Sequence, residues 1–228
     1  MSETTIHRYL RDHAAEETDP AFLAYLANLS VIAQTAPEIA GAVVQELEDQ
    51  RRYLKLIASE NYCSPATQLA MGNLLTDKYA EGVPFMRFYE GCDNVDTVEA
   101  MARDEACKLF GAEHAYVQPH SGADANMVAY WAVLTARVEV PGLEKFNTTN
   151  PMHLSQEDWN VIRDALNNQR LLGMDYYSGG HLTHGYRRNL SAKMFDAYSY
   201  AVNRKTGLLD YDEIEAMALE LRPLILLA

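Results

Sequence analysis

The chain has 228 residues, with 19 Lys and Arg against 32 Asp and Glu, a formal net charge of −13 and a hydrophobic content of 48%. That composition supports a real core in one large domain, or one plus appendages. Within the first 50 residues, Arg8 and Arg11 face nine carboxylates, an acidic lead that argues against nucleic acid and anionic membrane as partners. No apolar run approaches the roughly 18 residues that span a bilayer, the start is too polar for a signal peptide, and a cytoplasmic protein is expected. Cys63, Cys92 and Cys107 lack metal or disulfide spacing and read as reduced, small apolar residues.

In chain order, Pro20 opens an amphipathic helix with Phe22, Leu23, Leu26 and Leu29 at helical spacing, and a second starts near Pro37 with Ile39, Val43 and Leu47 on one face. Residues 1–56 thus read as a helical arm. Residues 57–93 lack periodicity and are rich in polar and aromatic groups, as functional loops are. Val98, Ala102, Ala106 and Leu109 mark a helix stopped by Gly111, followed by a short strand at 115–117. Met127, Trp131, Leu134 and Val138 belong to a helix over 124–138.

Residues 139–173 read as an inserted lobe, with loop signals at Pro141-Gly142 and 147–151 and a capping pattern at Ser155 that opens a helix with Trp159, Ile162 and Leu166 inward. A strand near 198–202, a turn at 205–207, a helix from Asp210 or Asp212 and an apolar strand over 224–228 complete the pattern. Alternating strands and helices predict an α/β sheet covered on both faces, with 57–228 forming the sheet domain. A domain seldom stops inside a core strand, so further chain is expected beyond 228.

Three stretches could carry chemistry. His120-Ser121-Gly122-Ala123-Asp124 lies where a strand meets a helix, so its amides and serine hydroxyl face an anion at the positive end of the helix dipole; Ser121 as a plain helix cap is the competing reading. Tyr79-Ala80-Glu81-Gly82 and Arg87-Phe88-Tyr89 flank a proline turn, and their phenols, carboxylate and guanidinium could hold a carboxylate substrate and move a proton, or form ordinary surface. Gly179-Gly180-His181-Leu182-Thr183-His184-Gly185 sets two imidazoles among glycines, where a flat ligand can approach the backbone. The i,i+3 spacing without a carboxylate or cysteine partner argues against zinc.

Taken in order, LKLIASENYCSP, LLTDKYAEG, RFYEGCDNVD, FGAEHAYVQPHSGADAN and SGGHLTHG closely resemble serine hydroxymethyltransferases. The resemblance covers roughly 45–134 and 172–228; the leading arm and the 139–173 lobe look similar to the chlamydial branch. It implies the pyridoxal 5′-phosphate-dependent transferase fold type I, like aspartate aminotransferase, as a truncated large domain with a helical arm. By that resemblance Ser121, Gly122 and Ala123 grip the cofactor phosphate and His181 stacks on its ring. Tyr79 and Glu81 serve the site of a neighbouring subunit, Tyr79 on the phosphate and Glu81 in proton handling. Tyr89 and Ser59 contact the amino acid, and Tyr176, Gly180, His181 and Leu182 meet folate, with Glu81, Tyr89 and His181 as the catalytic set.

The implied partners are serine, glycine and tetrahydrofolate, together with a second copy in a homodimer or tetramer. None of Lys55, Lys78, Lys108, Lys145, Lys193 or Lys205 sits in the family's Schiff-base motif, so this length of chain is expected to be inactive alone. Two alternatives stay open: another enzyme of the same fold, such as a threonine aldolase, and a short non-catalytic homolog that docks on or regulates a full-length subunit.

Overall fold

A computed structural model describes residues 4–228, which divide into two compact units with the boundary after Ala102. The boundary lies after 102 rather than after 56, because the loop region 57–93 and the start of the next helix gather with the leading helices.

The first unit begins with α1 (Thr5–Asp12), α2 (Pro20–Thr35) and α3 (Pro37–Arg52). Asp19 caps α2 by accepting from the Ala21 and Phe22 amides, and Pro20 and Pro37 occupy first-turn positions, where a missing N–H costs nothing. Tyr9 packs edge-on against Phe22 at 5.1 Å and receives the Asp19 N–H on its hydroxyl. The expected loop region holds more regular structure than its sequence predicts: helix α4 (Pro65–Met71), capped by Ser64, and a small antiparallel hairpin of β1 (Gly82–Val83) and β2 (Met86–Arg87). Elements this short carry no readable periodicity. Helix α5 (Asp93–Phe110) follows and ends at Gly111, φ +62°, as predicted.

In the second unit, α6 (Gly122–Leu134) passes through a π turn at Thr135–Glu139 directly into α7 (Val140–Lys145). The loop expected at Pro141-Gly142 is therefore helical. Pro141 stands in the first turn of α7, where proline is tolerated, and the side chain of Ile162 packs over Gly142 at a spacing that leaves little room for a Cβ. Helix α8 (Gln156–Asn167) is capped by Ser155, as read from the sequence. Next come β3 (Arg170–Met174), α9 (Ser191–Met194), β4 (Asp196–Tyr200), α10 (Tyr211–Leu221) capped by Asp210, and β5 (Ile225–Leu227).

The three strands form a parallel sheet in the order β4-β3-β5, with Leu171 opposite both Ala197 and Ile225. This corrects the lobe reading, since residues at the end of 139–173 form the central strand. Leu171 and Leu172 have no exposed surface, and Tyr130, Leu134 and Phe195 close the core around Leu171, with Leu166 packed on it. Residues 115–117 belong to no strand among the described residues: no neighbouring strand pairs with them. No helix among the described residues is long and apolar enough to cross a membrane.

Candidate active site

The sequence-derived candidates fall into two groups, one in each unit. Ser59, Tyr79, Glu81 and Tyr89 belong to the first, and Ser121, Gly122, Ala123, Tyr176, Gly180, His181 and Leu182 to the second.

In the first group the organising residue is Arg87. Its Nε donates to Asp96 Oδ1 at 2.8 Å, its Nη2 to Glu99 Oε2 at 2.6 Å, and its Nη1 to the carbonyls of Ala80 and Gly82, both at 2.8 Å. The side chain is 4% exposed. The expectation that this guanidinium holds a carboxylate substrate is thereby overturned, because its donors are already spent on two carboxylates and two carbonyls of its own chain. Asp96 also accepts the Phe85 N–H at 3.0 Å and so steadies Phe85 at φ +66°. The Arg87 guanidinium holds the Asp96 carboxyl below its usual range, helped by the Phe85 amide and opposed by burial.

Clamped in this way, the segment leaves its chemical side chains outward. Tyr79 and Tyr89 meet edge to face at 5.3 Å, and both are exposed, as is Glu81. Buried Cys92 points its thiol at the carbonyls of Tyr89 and Tyr79. Ser59 lies on an exposed turn closed by the Glu60 amide on the Ile57 carbonyl, beside the Lys55–Glu60 ion pair at 3.4 Å.

The second group is built on α6 and on the loop that leaves the C-terminal end of β3. Ser121 accepts the Asp124 amide at 3.1 Å, so the capping reading is realised. It does not exclude an anion: Ser121, Gly122 and Ala123 are exposed, and a Cβ on Gly122 would meet nothing within 4 Å. The turn is an open helix N-terminus with backbone donors facing outward, the chemistry a phosphate needs.

Asp175 donates its amide to Tyr200 across the strand ends at 2.8 Å and accepts from Gly180 at 3.0 Å. Gly180 is buried, and any Cβ there would strike the Met174 carbonyl. Gly173 is equally obligatory, since a Cβ would lie 2.6 Å from the His184 carbonyl oxygen. These two contacts fold the loop down on the strand. Tyr176 rests against Tyr186 at 5.4 Å, while His181 and Leu182 are exposed.

Thr183, which the sequence reading passed over, ties this loop to α6. It is 4% exposed. Its hydroxyl receives Asn126 Nδ2 at 2.8 Å and lies 2.8 Å from His181 Nδ1; its carbonyl accepts the Tyr130 hydroxyl at 2.6 Å. Burial pushes the Tyr130 phenol up, and the bond to Thr183 works the other way. Asn126 lies five residues beyond Ser121, roughly 7.5 Å along the helix axis. The anion-ready turn and the exposed imidazole are therefore joined by one short hydrogen-bonded chain. A neutral side chain five residues past the cap was the available signal, but only the fold supplies its partner. His184 faces inward: its Nδ1 is buried without a partner, and burial, then the proximity of His181, hold its pKa below the ordinary range.

The model of the family described as "Serine hydroxymethyltransferase" matches residues 32–163 and 145–228. A relative of that name from Treponema pallidum is 60% identical over all of this chain and 40% of its own length. One from Mycolicibacterium smegmatis is 55% identical over 95% of this chain and 44% of its own. The Chlamydia trachomatis relative is 44% identical over 98% of this chain and 45% of its own, so the leading arm and the 139–173 segment are shared well beyond chlamydiae. The chain spans about two fifths of the length of the curated relatives it matches. On this evidence of motif, fold and similarity along its whole length, the chain belongs to the serine hydroxymethyltransferase family.

Proposed function

We propose that this chain supplies the cofactor-phosphate turn and the ring-stacking imidazole of a cytoplasmic, pyridoxal 5′-phosphate-dependent serine hydroxymethyltransferase, which interconverts serine plus tetrahydrofolate and glycine plus 5,10-methylenetetrahydrofolate. The observation that carries the reading is the bonded chain Asn126–Thr183–His181, which fastens an exposed imidazole to the helix whose open N-terminus presents Ser121, Gly122 and Ala123. The residues fit the group: an outward helix terminus suits a phosphate, and the glycine-flanked loop at the strand ends suits a flat ring.

When bound, the coenzyme withdraws electrons from the substrate Cα. This chain's residues bind and orient. The Gly122 and Ala123 amides and the Ser121 hydroxyl hold the phosphate, His181 covers one ring face, and Tyr176, Gly180 and Leu182 border the folate side. Ser59 and Tyr89 contact the amino acid. Tyr79 and Glu81 serve the site of a second subunit, and their exposure just before a clamped hairpin supports that sharing. The Schiff-base lysine is assigned, in this proposal, to the part of the relatives' length that this chain does not span.

The test uses pyridoxamine 5′-phosphate, which cannot react with lysines, titrated calorimetrically into the 228-residue chain. Saturable binding, competed by inorganic phosphate and weakened about tenfold or more by Gly122→Val, is expected, since hydrogen bonds to a charged group each contribute about 1.5–3 kcal/mol. The Val side chain projects into open space, so the fold tolerates it. Equal binding by the variant rules the phosphate turn out. In full-length enzyme, Glu81→Gln subunits mixed with subunits lacking the cofactor lysine should regain partial activity; no recovery refutes the shared site.

A further inference from the structure

We propose that Thr183 is a positioning residue that locks His181 in a single neutral tautomer, with the proton on Nε2, and that Asn126 acts through it. The inference deepens the reading of His181 as the ring-facing residue, yet it stands on hydrogen-bond bookkeeping within this chain alone.

Two donors converge on His181 Nδ1. The Thr183 backbone N–H lies 3.2 Å from it, and the Thr183 hydroxyl oxygen lies 2.8 Å away. A backbone N–H can only donate, so at 3.2 Å it favours an Nδ1 that presents its lone pair. The hydroxyl agrees. Its oxygen already accepts from Asn126 Nδ2 at 2.8 Å, which leaves its one hydrogen free to point at Nδ1. Thr183 cannot easily turn away, since its carbonyl is held by the buried Tyr130 hydroxyl at 2.6 Å and the residue is almost wholly enclosed. A neutral imidazole whose Nδ1 accepts must bear its hydrogen on Nε2.

Two chemical consequences follow. Nε2 has no hydrogen-bond partner among the described residues, so the exposed ring offers one directed donor to an acceptor atom of whatever lies against it. The ring is also uncharged, and a neutral imidazole can lie flat against an electron-poor, cationic aromatic ring without like-charge repulsion. A side chain at 183 without a hydroxyl would remove the nearer of the two donors at Nδ1.

The test is a long-range proton–nitrogen NMR spectrum of the full 228-residue chain with labelled histidine, at about pH 8, above the ordinary histidine range. His181 is identified by the signals lost in His181→Gln. The wild-type ring should show one tautomer, Nε2-protonated, with no averaging. Thr183→Val should lose that single-tautomer pattern, Thr183→Ser should restore it, and Asn126→Ala should shift it partway while leaving the other histidines unchanged. A wild-type ring that is Nδ1-protonated or averaged overturns the proposal, even if Thr183→Val fails to fold, and so does an unchanged pattern in a folded Thr183→Val. Because no ligand is present, this outcome is independent of pyridoxamine 5′-phosphate binding: a locked tautomer without binding defeats the proposed function alone, and binding with an averaged ring defeats this inference alone.

Discussion

In residues 103–228 the fully enclosed side chains are Leu171 and Leu172 of the central strand and Ser191, with Leu171 packed against Tyr130, Leu134 and Phe195. In residues 4–102 the enclosed groups are of a different kind: Ala40 and Cys92 are joined by Asp96 and the Arg87 guanidinium, while Leu54, Leu56 and Leu74 are nearly 90% exposed. Both units hold a chemically loaded loop. The His181 loop is pressed onto a sheet by apolar burial and by glycines that no larger residue can replace. The Tyr79–Tyr89 segment is clamped by four hydrogen bonds from a single arginine, two of them ion pairs with Asp96 and Glu99, with little apolar support. Apolar packing carries no titrating group, whereas a carboxylate clamp works only while it is ionised. The two loops should therefore fail under different conditions.

The largest separation should come from Leu171→Ala. Truncating a fully buried core leucine costs about 2–5 kcal/mol, so urea denaturation should lose the 103–228 unit early, while amide exchange at Phe85 and Phe88 in the other unit stays near wild type. Equal losses in both would show that the units are energetically one.

Asp96→Asn is the reciprocal change and should release the 79–91 segment alone, seen as faster exchange of the Phe85 and Phe88 amides. The wild type should show the same release on acidification. Asp96 is depressed in the folded state, so its contribution is intact above the ordinary value of 3.8 and is lost as pH falls below that toward the folded value. Because the pair is largely enclosed, added salt should weaken it much less than an exposed pair. Exchange that is flat through this acid range would remove the clamp from the account.

A smaller effect, about 1–2 kcal/mol, is expected for Tyr130→Phe, which keeps the ring in the core but leaves the Thr183 carbonyl without its donor. Thermal unfolding should register it, and a neutral result would show that water replaces the phenol. The smallest is the pH response of His184. Its folded pKa is depressed, so the unfolded chain takes up protons first, and stability of the 103–228 unit should decline as pH falls below the ordinary 6.5. His184→Asn should flatten that decline between about pH 7 and 5.5 relative to wild type.

Much of the regular structure of both units was legible in the sequence. The helices from Pro20, Pro37 and Ser155, the helix stopped by Gly111, the Asp210 cap and the last strand all follow local rules: proline at a first turn, a side-chain acceptor at the cap, apolar spacing that matches one period. The helical run through Pro141-Gly142 was not legible, because a proline at a first turn and a glycine under Ile162 look locally like a break and only the packed neighbour makes them a rod. The 82–87 hairpin was too short to show a period.

The sequence by itself determined the residue types at the site and their family: Ser121-Gly122-Ala123 before a helix, His181 among glycines, and the segments that match a known enzyme. Tertiary structure alone decided how they are held. It spent Arg87 on Asp96 and Glu99 rather than on a substrate, and it brought Asn126 and Tyr130 to Thr183 across more than fifty residues of chain. Hydrogen bonds of that span depend on where the backbone returns, which no local pattern of side chains encodes.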